Sequence, residues 1–253
     1  MKKIIIVVLF VLLGLAIFVI FENKDIILFQ IKQLDIFKDE KIVVVIDPGH
    51  GGYDPGCVGK NLTYEKDIVL DISQELKNLL EEKGYEVYLT RDDDSFVSLK
   101  ERAAFANSIN ADLFISIHMN SASVNGFSVD GMEIYYYDWS EINYKRDFSD
   151  FYKGYLFADF FYKLKADNKI IVVEESQIIS ETIRESAEEN NIRFRKVARD
   201  IYDVIAFTDM PSVIVECNFL SNPEIEELFK LDETIEFYSR VIFDGIDEYF
   251  SLY

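Results

Sequence analysis

The strongest constraint on the fold of this chain is a β-branched run in residues 41 to 46, which ends in Asp-Pro-Gly-His-Gly-Gly at residues 47 to 52. An apolar strand followed by a glycine-rich stretch is typical of a buried parallel strand with a tight exit loop. Residues 65 to 83 then carry apolar side chains at helical spacing, and Gly84 ends that helix. Together these segments predict a strand, a loop and a helix in succession.

The same alternation continues to the end of the chain. Further strands are predicted over residues 85 to 90, 112 to 117, 132 to 137 and 212 to 215, and further helices over residues 99 to 109, 223 to 229 and 234 to 249. Strands that alternate with helices predict an α/β fold, with a mostly parallel or mixed sheet and helices on both faces. No repeated, glycine-rich or proline-rich segment marks a second domain, so residues 41 to 253 are expected to form a single domain.

An unbroken apolar run over residues 4 to 21 precedes this domain. At about 1.5 Å per residue the run approaches the roughly 30 Å of a bilayer core, which favours a transmembrane helix. A buried core helix would keep some polar residues, and a cleaved signal would show a small-residue site near Phe21. The run is therefore predicted to be an uncleaved anchor.

The charges beside the run predict its orientation. Lys2 and Lys3 lie on the short leading side, which favours a cytoplasmic N-terminus. Residues 22 to 40 then form a stalk or linker. The protein is expected to span the cell membrane once, with the domain over residues 41 to 253 outside the cytoplasm.

Composition excludes one class of partner and leaves a question about the cysteines. The formal net charge of −20 argues against nucleic acid, which is bound by clustered lysine and arginine. The two cysteines, Cys57 and Cys217, are too few for a disulfide scaffold. A disulfide, a thiolate metal ligand and two small buried side chains all remain open for them.

Chemistry-bearing residues gather at the predicted ends of strands. The only histidines are His50, in the loop after the first strand, and His118, at the end of the third. Glu216 follows the last apolar strand, and Glu65 opens the helix after the His50 loop. Because ligand sites of open α/β sheets form beyond the carboxyl ends of strands, we expect these residues to converge.

Two imidazoles and one carboxylate, with one position left to water, form the usual catalytic zinc site. A second carboxylate can then move a proton, and Glu216 suits that role. Each residue also has a plain structural interpretation. His50 can be a hydrogen-bonding turn residue, Glu65 can be favoured by the helix dipole, and Glu216 can pair with an arginine.

Three motifs contain or adjoin the candidate site residues: Val-Ile-Asp-Pro-Gly-His-Gly-Gly at residues 45 to 52, Ser-Ile-His-Met-Asn at 116 to 120 and Pro-Ser-Val-Ile-Val-Glu at 211 to 216. Further motifs lie at residues 65 to 67, 89 to 91, 99 to 107, 131 to 133 and 219 to 222. In this order and over nearly all of the predicted domain, the chain resembles the zinc-dependent N-acetylmuramoyl-L-alanine amidases of the amidase-3 type.

The resemblance implies a function and a role for each site residue. It implies that His50, Glu65 and His118 bind one Zn²⁺ ion and that Glu216 is the catalytic carboxylate. Arg195 looks like the family's catalytic arginine, with Arg193 close enough to compete. The implied substrate is peptidoglycan, in which the amide between N-acetylmuramic acid and L-alanine is hydrolysed.

The sequence departs from the family pattern at two positions near these motifs. Asn218 stands where members usually have glycine, and Cys57 where they have alanine. Asparagine tolerates a left-handed backbone, so the first change need not distort the loop.

Two other functions stay open: a catalytically silent protein that binds or regulates the wall, and a zinc peptidase that cuts within the stem peptide.

A larger departure is an inserted segment over residues 138 to 175, before a helix expected to begin near Ser176. It carries aromatic and leucine side chains at helical spacing: Phe148, Phe151, Tyr155, Phe157, Phe160, Phe161 and Leu164. These side chains either cover the sheet or form a lid over the metal cleft. Some relatives that act in cell division carry an inserted helix here that a partner protein displaces, which implies a protein activator.

The lid hypothesis predicts the effect of removing the segment. Deleting residues 147 to 167 should leave a folded enzyme with higher activity on purified peptidoglycan, because a covering helix would be lost. Amine release from the wall measures this, with circular dichroism as the check on folding. A folded deletion variant with unchanged or lower activity would contradict the hypothesis.

Overall fold

The structure is a computed structural model that describes residues 41 to 123, 128 to 138 and 158 to 253, and only the backbone of residues 158 to 170. Its strands are β1 Val43–Pro48, β2 Glu86–Leu89, β3 Leu113–Asn120, β4 Met132–Tyr136, β5 Phe194–Arg199 and β6 Ser212–Phe219. Its helices are α1 Glu65–Lys83, α2 Leu99–Ser108, α3 Ala158–Glu189, α4 Asp203–Ala206, α5 Pro223–Leu228 and α6 Asp232–Ser251.

The strands form one mixed sheet in the order β2-β1-β3-β6-β4-β5. The first four strands of that order are parallel, β4 runs antiparallel to β6, and β5 runs parallel to β4. β1, β3 and β6 are thus neighbours in the middle of the sheet. Their carboxyl ends lie at one edge, where the sequence predicts a site.

Alternating side chains of the strands build a core on each face of the sheet. In β1, Val44 and Ile46 pack in the larger core, with side chains from α1, α3 and α6, whereas Val45 packs in the smaller one, with side chains from α2 and α4. This is the two-residue period of a strand buried on both faces. The predicted α/β fold, with a mixed sheet and helices on both faces, is confirmed.

Three elements differ from the sequence prediction, and one of them is the short helix α4, whose four residues are too few to show a helical period. β5 was not predicted, because it is an edge strand whose sequence Phe-Arg-Lys-Val-Ala-Arg lacks an apolar run. Helix α3 begins at Ala158 and not near Ser176. Ser176 lies inside the helix, where its hydroxyl donates to the Val172 carbonyl oxygen at 2.6 Å and so does not cap an end.

Two predictions fall on parts of the chain that the structure leaves out. The anchor and stalk, residues 1 to 40, lie outside the described residues, and so do residues 139 to 157 of the predicted lid. Within the described ranges, no helix is both long and apolar enough to cross a bilayer. The membrane anchor and the lid therefore stay predictions.

A buried ion pair joins strands β1 and β3, and Thr90 directly after β2, to helix α2. Asp47 of β1 accepts hydrogen bonds from Arg102 Nη1 at 2.7 Å, from Thr90 Oγ1 at 2.5 Å and from Ser116 Oγ at 2.7 Å. Asp47 and Arg102 are 1% and 2% exposed. Burial on this scale is tolerated only because each charge is paired and hydrogen-bonded.

Removing one partner of this pair is expected to destabilise the fold strongly. Asp47→Ala leaves Arg102 charged and buried, and breaking a buried pair in this way costs about 3–5 kcal/mol. The matched control is Glu188→Ala, which breaks the exposed contact with Arg184 and should cost less than about 1 kcal/mol. Urea unfolding of both variants measures the difference, and equal losses would contradict the assignment.

Candidate metal and catalytic site

His50, Glu65 and His118 meet at the carboxyl edge of the sheet. His50 follows β1, His118 lies in β3, and Glu65 is the first residue of α1. One ligand atom from each lies within 4.8 Å of the other two. The two imidazole centroids are 4.9 Å apart, at 80° to one another. The structure thus brings together the three residues that the resemblance assigned as metal ligands.

Glu65 holds the centre of this group with one oxygen and is fixed through the other. Its Oε1 lies 3.1 Å from His50 Nε2 and 3.0 Å from His118 Nδ1, and accepts from the Met119 N–H at 2.9 Å. Its Oε2 accepts from the Cys57 N–H at 2.6 Å. Burial would raise the pKa of Glu65, but the hydrogen bonds and charges of His118 and His50 hold it well below its ordinary value.

A second carboxylate orients His50. Asp54 Oδ2 lies 2.9 Å from His50 Nδ1, which leaves Nε2 facing Glu65. Burial would lower the pKa of His50, but Glu65 and Asp54 together raise it to about 9. An imidazole held through its second nitrogen by a carboxylate is the usual arrangement of a metal-binding histidine. Asp54 was not predicted from the sequence as a site residue, although it lies four residues after His50 in the same glycine-rich loop.

Two glycines allow the backbone to approach the three side chains. A Cβ on Gly49 would lie 2.3 Å from His118 Cε1. One on Gly56 would lie 2.5 Å from Glu65 Oε2 and 2.6 Å from the His50 ring. Real Cβ atoms do not approach other atoms so closely, because the overlap is strongly repulsive. The cluster therefore depends on both glycines having no side chain.

Glu216 of β6 lies beside this cluster. It is paired in register with His118 on the neighbouring strand. Both face a cavity of about 110 Å³, whose other lining residues are Leu99, Tyr202, Asp203, Val204 and Ile214. Among the described residues, Glu216 Oε2 is the one buried side-chain oxygen or nitrogen without a hydrogen-bond partner. Burial, reinforced by nearby carboxylates, raises the pKa of Glu216 to about 7. Such a carboxyl can gain and lose a proton near neutral pH.

Arg195 and Arg193 make different contacts, and of the two only Arg195 contacts a buried acid. Arg195 Nε donates to Glu133 Oε1 at 2.8 Å, and Glu133 is in register with Glu216 across β4 and β6. Arg193 pairs with the exposed Asp130. Glu133 also accepts from Asn120 Nδ2 and from the Tyr135 hydroxyl, at 2.9 and 2.6 Å.

Sequence reasoning assigned no role to Glu133. Burial would raise its pKa, but Tyr135, Arg195 and Lys196 lower it. Its signal in the sequence is one acidic residue inside an otherwise apolar strand, Met-Glu-Ile-Tyr-Tyr. The Glu133 carboxylate thus links Arg195 to strand β4, which lies next to Glu216 of β6. A catalytic role for Arg195 itself stays a prediction.

Asn218, one of the two departures from the family pattern, has a structural explanation, and nothing in the structure explains cysteine in place of alanine at Cys57. Asn218 lies within β6 and does not adopt a left-handed backbone. Its Oδ1 accepts from the Gly131 N–H at 2.9 Å, and its Nδ2 donates to the Tyr238 hydroxyl at 2.8 Å. Cys57 and Cys217 are both free thiols, and neither belongs to the three-residue cluster. Cys217 is fully buried in the core, as expected of a small apolar side chain.

The fold places this chain in a known structural class. N-acetylmuramoyl-L-alanine amidase AmiC2 of Nostoc punctiforme matches with a TM-score of 0.67 at 29% identity, covering 84% of this chain and 98% of that one. The CwlD amidase from Clostridioides difficile, solved in complex with the GerS lipoprotein, matches with a TM-score of 0.65 at 28% identity, covering 84% and 100%. The class is that of the α/β amidase domains.

Residues 44–248 match the Amidase_3 family, N-acetylmuramoyl-L-alanine amidase, and the chain belongs to that family. The resemblance to this amidase family is thereby confirmed, while zinc dependence stays a prediction. N-acetylmuramoyl-L-alanine amidase AmiC of Escherichia coli O6:H1 is 32% identical over 228 residues, which cover 85% of this chain. The match spans 54% of AmiC, about half the length of that relative.

The close approach at Gly49 gives a direct test of the cluster. Gly49→Ala should displace the His118 ring and lower the affinity for zinc, measured by chelator competition, by about 10-fold or more. The control is Gly84→Ala, where the added Cβ meets nothing but φ is 107°. That change strains the backbone away from the site, so zinc affinity should hold. Equal affinity in both variants would contradict the geometry.

Proposed function

We propose that this protein is a zinc-dependent N-acetylmuramoyl-L-alanine amidase that hydrolyses the amide between N-acetylmuramic acid and L-alanine in peptidoglycan. Family membership supports the reaction and the substrate. The observation that carries the proposal is the buried, unpartnered Oε2 of Glu216 beside the cluster of His50, Glu65 and His118. A free carboxyl beside three potential metal ligands is what metal-assisted hydrolysis of an amide requires.

The three clustered residues fit a single zinc ion by their chemistry. Two imidazoles and one carboxylate are a common protein ligand set of catalytic zinc. The Asp54 carboxylate behind His50 and the Cys57 N–H on Glu65 would hold the ligands in place. Zinc bound there would act as a Lewis acid and lower the pKa of water to about 7, which supplies hydroxide at neutral pH.

Glu216 would move the proton that the reaction transfers. Its carboxylate takes a proton from the attacking water while the bond between water oxygen and carbonyl carbon forms. The same oxygen then gives that proton to the alanine nitrogen as the carbon–nitrogen bond breaks, so the stem peptide leaves as an amine. A pKa of about 7 suits both steps, and such transfer contributes about 10²–10⁴-fold in rate.

We propose Arg195 as a further residue of the active site, acting through Glu133. Its guanidinium lies 5.1 Å from the centre of the Phe219 ring and donates to Glu133. Since Glu133 and Glu216 are register partners, this ion pair would fix the strand that flanks the proton-transfer group. The charge of Arg195 also limits the repulsion that Glu133 exerts on the ionised form of Glu216.

The proposal extends to localisation and partners. The apolar run over residues 4 to 21 supports a single membrane anchor with the domain outside the cytoplasm. Recovery of the full-length protein in the soluble fraction after cell lysis would contradict that anchor.

The related CwlD amidase is found in complex with the GerS lipoprotein. That complex supports a protein partner for this chain, and we propose that the partner is an activator acting on residues 138 to 175.

Replacing the proton-transfer group tests the mechanism. Glu216→Gln should lower amine release from purified peptidoglycan by about 10²-fold or more, while zinc stays bound because none of its proposed ligands changes. The control is Glu224→Gln on α5, an acid outside the cavity that Glu216 lines, which should behave as wild type. Full activity of Glu216→Gln would contradict the assigned role.

Mass spectrometry of the digested wall separates the three candidate functions. Intact stem peptides released from glycan indicate the amidase, and shortened stems indicate the peptidase. Wall binding without any products indicates the silent protein. The proposed amidase activity predicts intact stem peptides from wild type and at least about 10²-fold fewer from Glu216→Gln in the same time.

A further inference from the structure

One fully buried acid lies outside the proposed reaction. Glu226 of helix α5 is 0% exposed. A carboxylate buried to this extent is costly unless its oxygens accept hydrogen bonds. Its partners are therefore informative, and they lie more than 160 residues away in the sequence, in the loop just before Glu65.

Glu226 binds the backbone of that loop. Its Oε1 accepts from the Asn61 N–H at 2.9 Å and from the Thr63 N–H at 3.2 Å, and its Oε2 lies 3.0 Å from the same Asn61 nitrogen. A Cβ on Gly59 would lie 2.3 Å from Glu226 Oε1, so the loop closes tightly around the carboxylate. Hydrogen bonds of a charged acceptor to backbone N–H groups are among the strong ones in proteins.

The same loop delivers the N–H that fixes Glu65. Residues 57 to 64 form a closed loop, in which the Glu65 N–H donates to the Cys57 carbonyl oxygen at 2.9 Å and the Gly59 N–H to that of Thr63 at 2.8 Å. The Cys57 N–H in turn donates to Glu65 Oε2. This contact decides which carboxylate oxygen faces the histidines, because it occupies the other one.

We propose that Glu226 is a positioning residue for the metal site, which acts by holding the 57–64 loop so that Cys57 turns Glu65 Oε1 toward His50 and His118. The inference rests on the proposed function, in which Glu65 is a zinc ligand. Groups that orient a metal ligand from behind typically change metal affinity by about 10–100-fold when removed. Glu226 acts one step further out, because it holds the loop that supplies such a group.

The chain offers a matched control on the same helix. Glu227 follows Glu226 and also contacts Asn61, but through the side-chain amide, with its Oε1 accepting from Nδ2 at 2.8 Å. That contact is exposed and does not involve the loop backbone. Glu227→Ala therefore removes one acid from α5 and one contact to Asn61 without releasing the loop.

The test measures zinc affinity by chelator competition on the full-length protein, with thermal unfolding of the metal-free proteins recorded in parallel. Glu226→Ala should lower zinc affinity by about 10-fold or more, while Glu227→Ala stays at the wild-type value. Glu226→Gln keeps one oxygen that can accept from both N–H groups, so it should recover most of the loss. Rescue by glutamine separates positioning of the loop from a requirement for negative charge.

Several outcomes would overturn the proposal. Wild-type zinc affinity in Glu226→Ala would do so, as would an equal loss in Glu227→Ala. If Glu226→Ala does not fold, Glu226→Asp takes its place, since its oxygens are drawn back by one methylene group. A folded Glu226→Asp with wild-type affinity would then overturn it. Wild-type protein that binds no zinc would overturn the proposed function as well, so the two failures are distinguishable.

Discussion

Two buried arginines hold the loop on which the site depends. Arg102 donates to the carbonyl oxygens of Pro48 and His50, and Arg91 to those of Pro48 and Gly49. These carbonyl groups are thus satisfied inside the protein, as buried backbone groups must be. With its carbonyl so bound, His50 adopts a φ of 62°, rare for a residue other than glycine. This backbone conformation costs free energy, and it persists because the hydrogen bonds from the two arginines hold the loop in place.

Above this loop, the site is organised around one carboxylate. Glu65 reaches both histidines through Oε1 and is fixed by Cys57 through Oε2. Both imidazoles lie against its negative charge, which raises the pKa of both histidines although burial opposes it, with a further contribution from Asp54 to His50 and from Glu216 to His118. A divalent cation would replace those protons, since metal and proton compete for the same ligand atoms. Glu216, one strand away, keeps an oxygen free beside this centre.

Much of this arrangement could be predicted from the sequence, because it depends on short-range patterns. His50 and His118 follow apolar strands, and parallel strands place such positions at one edge of a sheet. β5 could not be predicted from the sequence. It is an edge strand that pairs with only one neighbour, and its charged residues interrupt the apolar pattern by which a strand is recognised. The predicted start of α3 near Ser176 was wrong, because the Ser176 hydroxyl donates to the Val172 carbonyl oxygen inside the helix and does not cap its end.

The groups that support the site were beyond sequence reasoning for a different reason. Arg195, which pairs with Glu133, lies 62 residues from it, and Asn61, which donates to Glu226, lies 165 residues from it, so the sequence marks neither contact. The reason for asparagine at position 218 was likewise not visible in the sequence. It lies in the hydrogen bonds of the side chain with Gly131 and Tyr238, and not in the backbone conformation. Long-range hydrogen bonds of this kind become visible only once the fold is known.

We propose that His50, Glu65 and His118 together bind one zinc ion, and X-ray absorption at the zinc edge of the purified protein measures this coordination. We expect only nitrogen and oxygen neighbours, at about 2.0–2.2 Å, with the scattering signature of two imidazole rings. A sulfur neighbour near about 2.3 Å would place Cys57 or Cys217 in the site and contradict the ligand set. Absence of an imidazole signature would contradict it equally.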